Sequence, residues 1–292
     1  MRLCIQNAKL SVIADTLGGE LQSLRDGDGR EYLWQGDARY WTGKAPNLFP
    51  YIARLTDGKY RYGGREYTMG IHGFICASEL KPVLVQSERM VLQFIPDDKT
   101  KEIYPFDFVY EIEYRLQDNE LDIIYRIRNT GDRRMYFGIG GHPGFQVPLD
   151  EDGAFEDYEL KFERACSPEQ IIFSEDCFVT GAVKSFPLEE NGIRLRHGLF
   201  DHDAIVLKHM ADAVTLTSGQ SGRYVKIRYP QMKYLGIWHT PRSEAPYVCI
   251  EPWSSLPSRQ GIIEDLEKQE DLVSVEENGV YCNQWSISCG RK

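Results

Sequence analysis

The sequence lacks long apolar runs and any excess of positive charge. No stretch approaches the ~18 consecutive apolar residues of a membrane-spanning helix, and the opening segment Met1–Leu10 has no apolar core typical of a secretory signal. Acidic side chains outnumber basic ones by 44 to 34, for a net charge of −10, whereas binding to nucleic acid phosphates needs a basic surface. These absences predict a cytoplasmic protein that binds neither membranes nor nucleic acids.

Motifs for metals, nucleotides and redox chemistry are also missing. The seven cysteines are irregularly spaced and form no C-x-x-C pair, which disfavours a zinc ribbon or a redox motif. There is no phosphate-binding loop, no dinucleotide fingerprint and no G-x-S-x-G elbow. The spacing of Asp201-His202-Asp203 resembles a pair of metal ligands, but a ligand-binding carboxylate or a solvated loop is the better interpretation of this segment. We therefore expect no cofactor and no metal.

The dominant pattern in the sequence is an alternation of period two. Apolar residues alternate with others over Phe108–Leu116 and again over Leu121–Ile127, and the polar turn Gln117–Glu120 separates the two runs. This spacing predicts a hairpin with one buried face. Helical signals are scarce, and the best of them is the short segment Ile262–Lys268.

Many short strands separated by turns predict an all-β fold, a large antiparallel sandwich or barrel with few short helices. We expect a single domain over residues 1–292. The acidic, glycine-containing segment Asp150–Asp157 could mark a boundary, but we interpret it as a surface loop.

Two histidines lie in unusual glycine-rich settings. His142 lies in Gly140–Phe145, and His72 lies in Ile71–Phe74. Glycines beside a histidine remove bulk, so a ligand can approach the imidazole and the backbone closely. A functional role is favoured for His142, whereas an ordinary turn is an equally good interpretation for His72.

Glu251 is the candidate carboxylate. The mostly apolar run Tyr247–Ile250 leads directly into Glu251, followed by Pro252 and Trp253, as at the end of a buried strand. Partial burial raises the pKa of a carboxyl group and makes it a better base near neutrality. The alternative interpretation of Glu251 is a surface glutamate at the mouth of a loop. Separately, Trp238 and Trp253 could stack on a sugar ring.

Four segments, in this order, resemble the aldose 1-epimerase (galactose mutarotase-like) family, and in particular its LacX-like subgroup. They are Ala45–Leu55, Ile71–Phe74, Gly140–Phe145 and Ile250–Trp253. The likeness covers nearly the whole chain. It implies a β-supersandwich with a sugar cleft on one open face, and an isomerase that interconverts the α and β anomers of a small-molecule aldose without a cofactor.

The resemblance also implies the roles of the catalytic residues. His142 would be the general acid at the ring oxygen, and Glu251 the general base at the anomeric hydroxyl. We expect a bell-shaped pH profile, with Glu251 responsible for the acidic limb and His142 for the basic limb.

Substrate-binding roles follow from the same resemblance. Arg54 and His72 would bind sugar oxygens, and Asp201 would match the sugar-binding aspartate of the family, with Asp203 as its rival.

One departure from the family bears on substrate choice. The subgroup usually has Ala-Arg after His-Gly-Phe, whereas this chain has Ile75-Cys76, which removes a cation near the cleft. This departure favours the alternative of a non-catalytic carbohydrate-binding or regulatory protein of the same fold. A separate alternative is a mutarotase for hexose 6-phosphates, which would need a cationic pocket for the phosphate. The net charge of −10 mildly opposes an anionic substrate.

Overall fold

The chain consists almost entirely of antiparallel strands, in a computed structural model that describes residues 1–291. Strands take up 47% of the chain and helical turns 7%, so the all-β prediction is confirmed. The strands are β1 (Arg2–Gln6), β2 (Leu10–Asp15), β3 (Leu21–Asp26), β4 (Asn47–Leu48), β5 (Lys59–Tyr62), β6 (Arg65–Thr68), β7 (Lys81–Val85), β8 (Arg89–Phe94), β9 (Phe108–Gln117), β10 (Glu120–Asn129), β11 (Met135–Phe137), β12 (Gly140–Gly141), β13 (Gly144–Gln146), β14 (Tyr158–Phe162), β15 (Glu169–Phe173), β16 (Val179–Ser185), β17 (Gly192–Arg194), β18 (Ile205–Lys208), β19 (Ala213–Ser218), β20 (Arg223–Arg228), β21 (Tyr234–Trp238), β22 (Tyr247–Trp253), β23 (Val273–Val275) and β24 (Val280–Arg291).

Two large antiparallel sheets form the supersandwich. One has nine strands in the order β17-β14-β19-β20-β24-β10-β9-β8-β7, and the other has eight, in the order β16-β15-β18-β21-β22-β12-β4 with β13 also paired to β22. Apolar side chains from both sheets belong to one continuous core, as Tyr110 and Ile123 of the first sheet and Ile237 and Ile250 of the second show. The eight-stranded sheet carries the candidate site.

The predicted hairpin is confirmed as β9 and β10. Leu116 pairs with Leu121 and Tyr114 with Ile123, and all four side chains are buried. The turn between the strands needs a residue at positive φ, which Asp118 supplies at 51°.

The helical prediction for Ile262–Lys268 was wrong, because the middle of this segment forms backbone hydrogen bonds with a strand, and only a turn follows, in which the N–H of Lys268 donates to the carbonyl of Asp265. Arg61 of β5 donates its backbone N–H to Glu264, and its carbonyl accepts from Leu266. The one α-helix among the described residues is α1 (Asp98–Ile103), where the Asp97 side chain accepts the Thr100 backbone N–H at 2.8 Å. Single-turn 3-10 segments lie at Thr56–Gly58, Ile75–Ala77, Phe155–Asp157 and His197–Phe200.

The segment Asp150–Asp157 lies between β13, which pairs with β22 of the eight-stranded sheet, and β14 of the nine-stranded sheet. It is a bend followed by a 3-10 turn, and it leads into β14 of the nine-stranded sheet that also contains β9 and β10. Phe155 inserts its ring into the shared core.

No helix in the described part of the chain has the length and apolar character needed to cross a membrane.

Candidate active site

A cavity of about 470 Å³ opens on the eight-stranded sheet. Its lining includes the residues that carry the site: Trp41, Arg54, His72, His142, Asp203, Trp238, Glu251 and Trp253. The volume lies within the ~300–1,000 Å³ range of pockets for small molecules. Of the five residues predicted to form the site, four line this cavity and Asp201 does not.

Strand register brings His142 and Glu251 together. Gly140 pairs with Trp253 and Gly144 pairs with Cys249, so His142 lies opposite Glu251 on the neighbouring strand. Directly opposed residues share a face of a sheet. The Nε2 atom of His142 is 3.3 Å from the Oε2 atom of Glu251.

Proline and glycine give the strand its local shape around His142. Pro143 has no N–H, but its carbonyl accepts the N–H of Ile250, and the N–H of His142 turns to the other neighbour, Pro46. A Cβ at Gly141 would lie 2.5 Å from Cζ2 of Trp285. The glycine therefore lets the strand approach this buried indole closely.

Burial moves both pKa values of the pair away from the charged forms. The pKa of His142 falls to about 3, chiefly by burial and partly through His72. The pKa of Glu251 rises well above its usual range, chiefly by burial with a contribution from the Asp203 charge. Burial therefore favours a pair that carries one titratable proton, in which a neutral imidazole faces a protonated carboxyl group.

This result reverses the expected order of the two pH limbs. On the acidic side, activity is lost when the pair takes up a second proton, and the low pKa of His142 opposes this uptake. On the basic side, activity is lost when the pair gives up its single proton, and the raised pKa of Glu251 opposes this loss. Sequence reasoning anticipated the raised pKa of Glu251 but not the lowered pKa of His142, because it did not foresee that the imidazole is buried as well.

Two atoms of the pair have free hydrogen-bonding capacity. Nδ1 of His142 and Oε2 of Glu251 are buried and have no hydrogen-bond partner among the described residues. Buried polar atoms are nearly always paired in folded proteins. Unpaired buried atoms in a cleft are typical of groups that form hydrogen bonds with a ligand.

His72 is held in the cleft in one defined tautomer. Its backbone has a φ of +64°, which is uncommon for a residue other than glycine, and its Nδ1 accepts the backbone N–H of Ala53 at 3.1 Å. The proton therefore resides on Nε2. Burial, with the Arg54 charge, lowers the pKa of His72 to about 4, so this side chain is a neutral hydrogen-bond donor.

The structure places Asp203, and not Asp201, in the cleft. Asp203 lines the cavity and accepts a hydrogen bond from Sγ of Cys177 at 3.2 Å, whereas Asp201 is exposed and lies outside it. In a strand, residues two apart would share a face, so Asp201 and Asp203 would point the same way. Instead, Asp201 ends a 3-10 turn in the αR conformation, and Asp203 has a φ of +76°.

Two tryptophans form an aromatic wall beside His142. The ring centroid of Trp41 is 5.0 Å from that of His142, and the centroid of Trp238 is 5.7 Å from it. The two indoles meet edge to face at 5.6 Å. The sequence indicated Trp238 but not Trp41. Nε1 of Trp34 donates a hydrogen bond to the backbone carbonyl of Trp41 and thereby holds the loop of Trp41.

The segment that departs from the family pattern lies beside the cavity without lining it. Ile75 and Cys76 form the 3-10 turn after His72, and neither belongs to the cavity lining. Ile75 is fully buried in the core.

One group of side chains in the described chain has the spacing of metal ligands. Ligand atoms of His142, Cys249 and Glu251 lie within 4.8 Å of one another, although the sequence suggested that such residues are too dispersed. A metal-binding cysteine must be a thiolate, whereas burial and the Glu251 charge raise the pKa of Cys249 well above its usual range. We assign no metal to this group, because a cysteine that is held as a thiol is a poor metal ligand.

The fold and the paired imidazole and carboxyl group in an open cleft define a galactose mutarotase-like protein. A model of the aldose 1-epimerase family matches residues 1–263, and the chain belongs to that family. It is similar to Protein LacX, chromosomal, of Lactococcus lactis subsp. lactis, with 31% identity over 265 residues and 88% of each chain covered.

Solved structures show the same similarity. A galactose mutarotase related enzyme from Lactobacillus acidophilus superposes with a TM-score of 0.95 at 27% identity, covering 99% of this chain and 97% of its own. A galactose mutarotase-like protein from Lactobacillus casei ATCC 334 gives a TM-score of 0.94 at 28% identity, covering 99% and 100%. The resemblance inferred from the sequence is therefore confirmed.

Proposed function

We propose that this protein is a sugar mutarotase that interconverts the α and β anomers of an aldose. The observation that carries the proposal is the buried pair of His142 and Glu251, 3.3 Å apart, which shares one proton and faces a cavity large enough for a monosaccharide. Mutarotation needs one proton donor and one proton acceptor at neighbouring oxygens, and this pair supplies both.

The reaction moves two protons and restores both. His142 delivers a proton to the ring oxygen while Glu251 removes one from the anomeric hydroxyl, so the bond between the anomeric carbon and the ring oxygen breaks and a carbonyl forms. Rotation about the adjacent carbon–carbon bond presents the other carbonyl face. Both transfers then run in reverse, and the pair returns to its starting protonation state.

The neutral resting pair defines what substrate binding must accomplish. Before the reaction, the proton on Glu251 passes to His142 and produces the imidazolium and carboxylate that opening requires. Both states carry one proton, so this step needs no exchange with solvent. Hydrogen bonds from sugar hydroxyls to the ionised groups favour the charged state.

The other cleft residues are suited to holding the sugar. His72 and Arg54 donate hydrogen bonds, and Asp203 accepts them. The indoles of Trp41 and Trp238 offer an apolar surface for the C–H face of a sugar ring. This division assigns binding to one set of residues and proton transfer to another.

The test is anomer exchange measured by NMR on the full-length protein, with a panel of free and 6-phosphorylated aldoses. We expect saturable acceleration of exchange for at least one sugar, lost in His142→Ala. Calorimetric binding without acceleration would favour a carbohydrate-binding protein instead. Acceleration of the phosphorylated sugars alone would favour the hexose 6-phosphate alternative.

A further inference from the structure

The indole of Trp253 lies next to Glu251 in a slot made by two glycines. Glu251 and Trp253 are two residues apart on β22, so their side chains leave the strand on the same face. A Cβ at Gly140 would lie 3.0 Å from Cδ1 of the indole, and a Cβ at Gly236 would lie 3.3 Å from Cε2. These two carbons flank Nε1, so both glycines border the edge that carries the N–H.

The same slot adjoins the carboxyl group. Gly236 pairs with Glu251 across β21 and β22, and a Cβ at Gly236 would lie 3.2 Å from Cβ of Glu251. Any larger residue at position 236 would push against Trp253 and Glu251 together. The two glycines therefore give the indole edge and the carboxyl group a common space.

The N–H of this indole has no assigned use in the fold. Trp253 is only 4% exposed, and its Nε1 has no hydrogen-bond partner among the described residues. Oε2 of the neighbouring Glu251 is likewise buried and has no well-aligned hydrogen bond among the described residues, although Nε2 of His142 lies 3.3 Å from it. An unpaired buried donor beside an unpaired buried acceptor is an unusual arrangement, because each costs desolvation energy.

We propose that Trp253 is a positioning residue whose indole N–H is the hydrogen-bond donor for the ionised carboxylate of Glu251. This inference rests on the proposed function, since it gives a role to the charged state that ring opening requires. The donor is held ready by Gly140 and Gly236, and it favours transfer of the proton from Glu251 to His142. In agreement with this geometry, the Trp253 N–H lowers the pKa of Glu251 against the larger effect of burial.

The first test needs no turnover. In the ¹⁵N-labelled protein the five tryptophans give five indole N–H signals, and Trp253→Phe and Trp285→Phe assign two of them. We expect the Trp253 proton to move downfield as Glu251 ionises, and to stay constant in Glu251→Gln. The Trp285 signal is the internal control, because its N–H is also buried and unpaired but lies outside the cavity lining.

The second test separates the N–H from the ring. Incorporation of benzothienylalanine at position 253 replaces the N–H by sulfur and preserves the shape of the side chain. A hydrogen bond to a charged group is worth enough that its loss should lower kcat about 10-fold and move the basic pH limb up by about 1–2 units. KM should change little. Trp253→Phe should show the same limb shift, and Trp285→Phe should leave the limb in place.

Two results would overturn the inference. One is a Trp253 signal that stays constant from about pH 5 to about pH 9, or that moves equally in Glu251→Gln. The other is a loss of activity in the position-253 variants with an unchanged basic limb, as a purely structural role predicts. Absence of anomer exchange in the wild-type protein would instead refute the proposed function, and the indole titration would still decide the role of Trp253.

Discussion

Replacing Glu251 by glutamine isolates the titrating carboxyl group from the shape of the site. Glutamine occupies nearly the same volume and still forms hydrogen bonds, but it neither gains nor loses a proton at any relevant pH. Glu251 is 1% exposed and its Oε2 is 3.3 Å from His142. The substitution therefore converts an exchanging pair into an imidazole with no proton-transfer partner.

The size of the effect follows from the two-proton chemistry. A positioned acid or base contributes about 10²- to 10⁴-fold, and the variant loses the base together with the route by which His142 acquires its proton. We expect kcat to fall at least 10²-fold. Sugar affinity should fall much less, because Arg54, His72 and Asp203 remain in the cleft.

The pH profile gives the sharper signature. In the wild type, activity should persist well below the ordinary pKa of histidine, since burial lowers the pKa of His142 to about 3. Activity should decline on the alkaline side where Glu251, with its raised pKa, loses the shared proton. In Glu251→Gln the alkaline decline should vanish, because no carboxyl group remains to lose a proton.

The assay is two-dimensional exchange NMR of the anomers, run beside calorimetric sugar binding. Glu113→Gln is the matched control, since Glu113 is also a buried carboxylate but pairs with Arg89 and Arg126 in the other sheet. It should lower stability and leave the pH limbs in place. Exchange in Glu251→Gln at nearly the wild-type rate would refute the mechanism.

Three further predictions test other parts of the site and the fold. Asp203→Asn should raise KM or weaken calorimetric binding about tenfold or more, by analogy with the loss of a hydrogen bond to a charged group, whereas Asp201→Asn should leave both unchanged; equal effects would contradict the placement of Asp203. Gly236→Ala should lower kcat and thermal stability, since its Cβ would lie 3.1 Å from Trp253 and 3.2 Å from Glu251. Gly222→Ala, with nothing within 4 Å, should be neutral in the same activity and melting assays. Between about pH 7 and about pH 4.5, the free energy of unfolding measured with urea should fall by about 2 kcal/mol less in His239→Gln than in the wild type. Burial lowers the pKa of His239 to about 4, so the native histidine stays neutral while the unfolded chain takes up a proton below about pH 6.5; an unchanged acid sensitivity would contradict this.

The sequence sufficed for the fold class and for singling out His142 and Glu251, which the structure brings within 3.3 Å of each other. Period-two alternation is a local signal, and the β9–β10 hairpin follows from it directly. The glycines around His142 and the apolar run before Glu251 marked both residues as candidates, and the family resemblance assigned their roles. None of these inferences depended on knowing how distant segments meet.

The remainder of the site depended on loop conformation and on contacts between distant segments. Asp203 and Asp201 have the same chemistry, and only the positive φ of Asp203 distinguishes the one that lines the cavity. Trp41 reaches the site from a loop with no motif around it. The segment Ile262–Lys268 carries an apolar stripe, but Glu264 and Leu266 form their backbone hydrogen bonds with Arg61 of β5, and such partners cannot be inferred from local spacing.

The register of the eight-stranded sheet explains how the protein holds the proposed acid and base, His142 and Glu251, close together. One row across the sheet runs from Val206 through Gly236 to Glu251 and on to His142. A slip of one residue between strands would turn Glu251 or His142 to the opposite face, so the same pairings that stabilise the sheet define the distance between the proton donor and acceptor. Glycine at position 236 leaves room beside Glu251 for the indole of Trp253, and the backbone on either side of His142 bonds to Pro46 and Ile250. The site is thus a cross-strand pair whose separation is set by the pairings of the sheet.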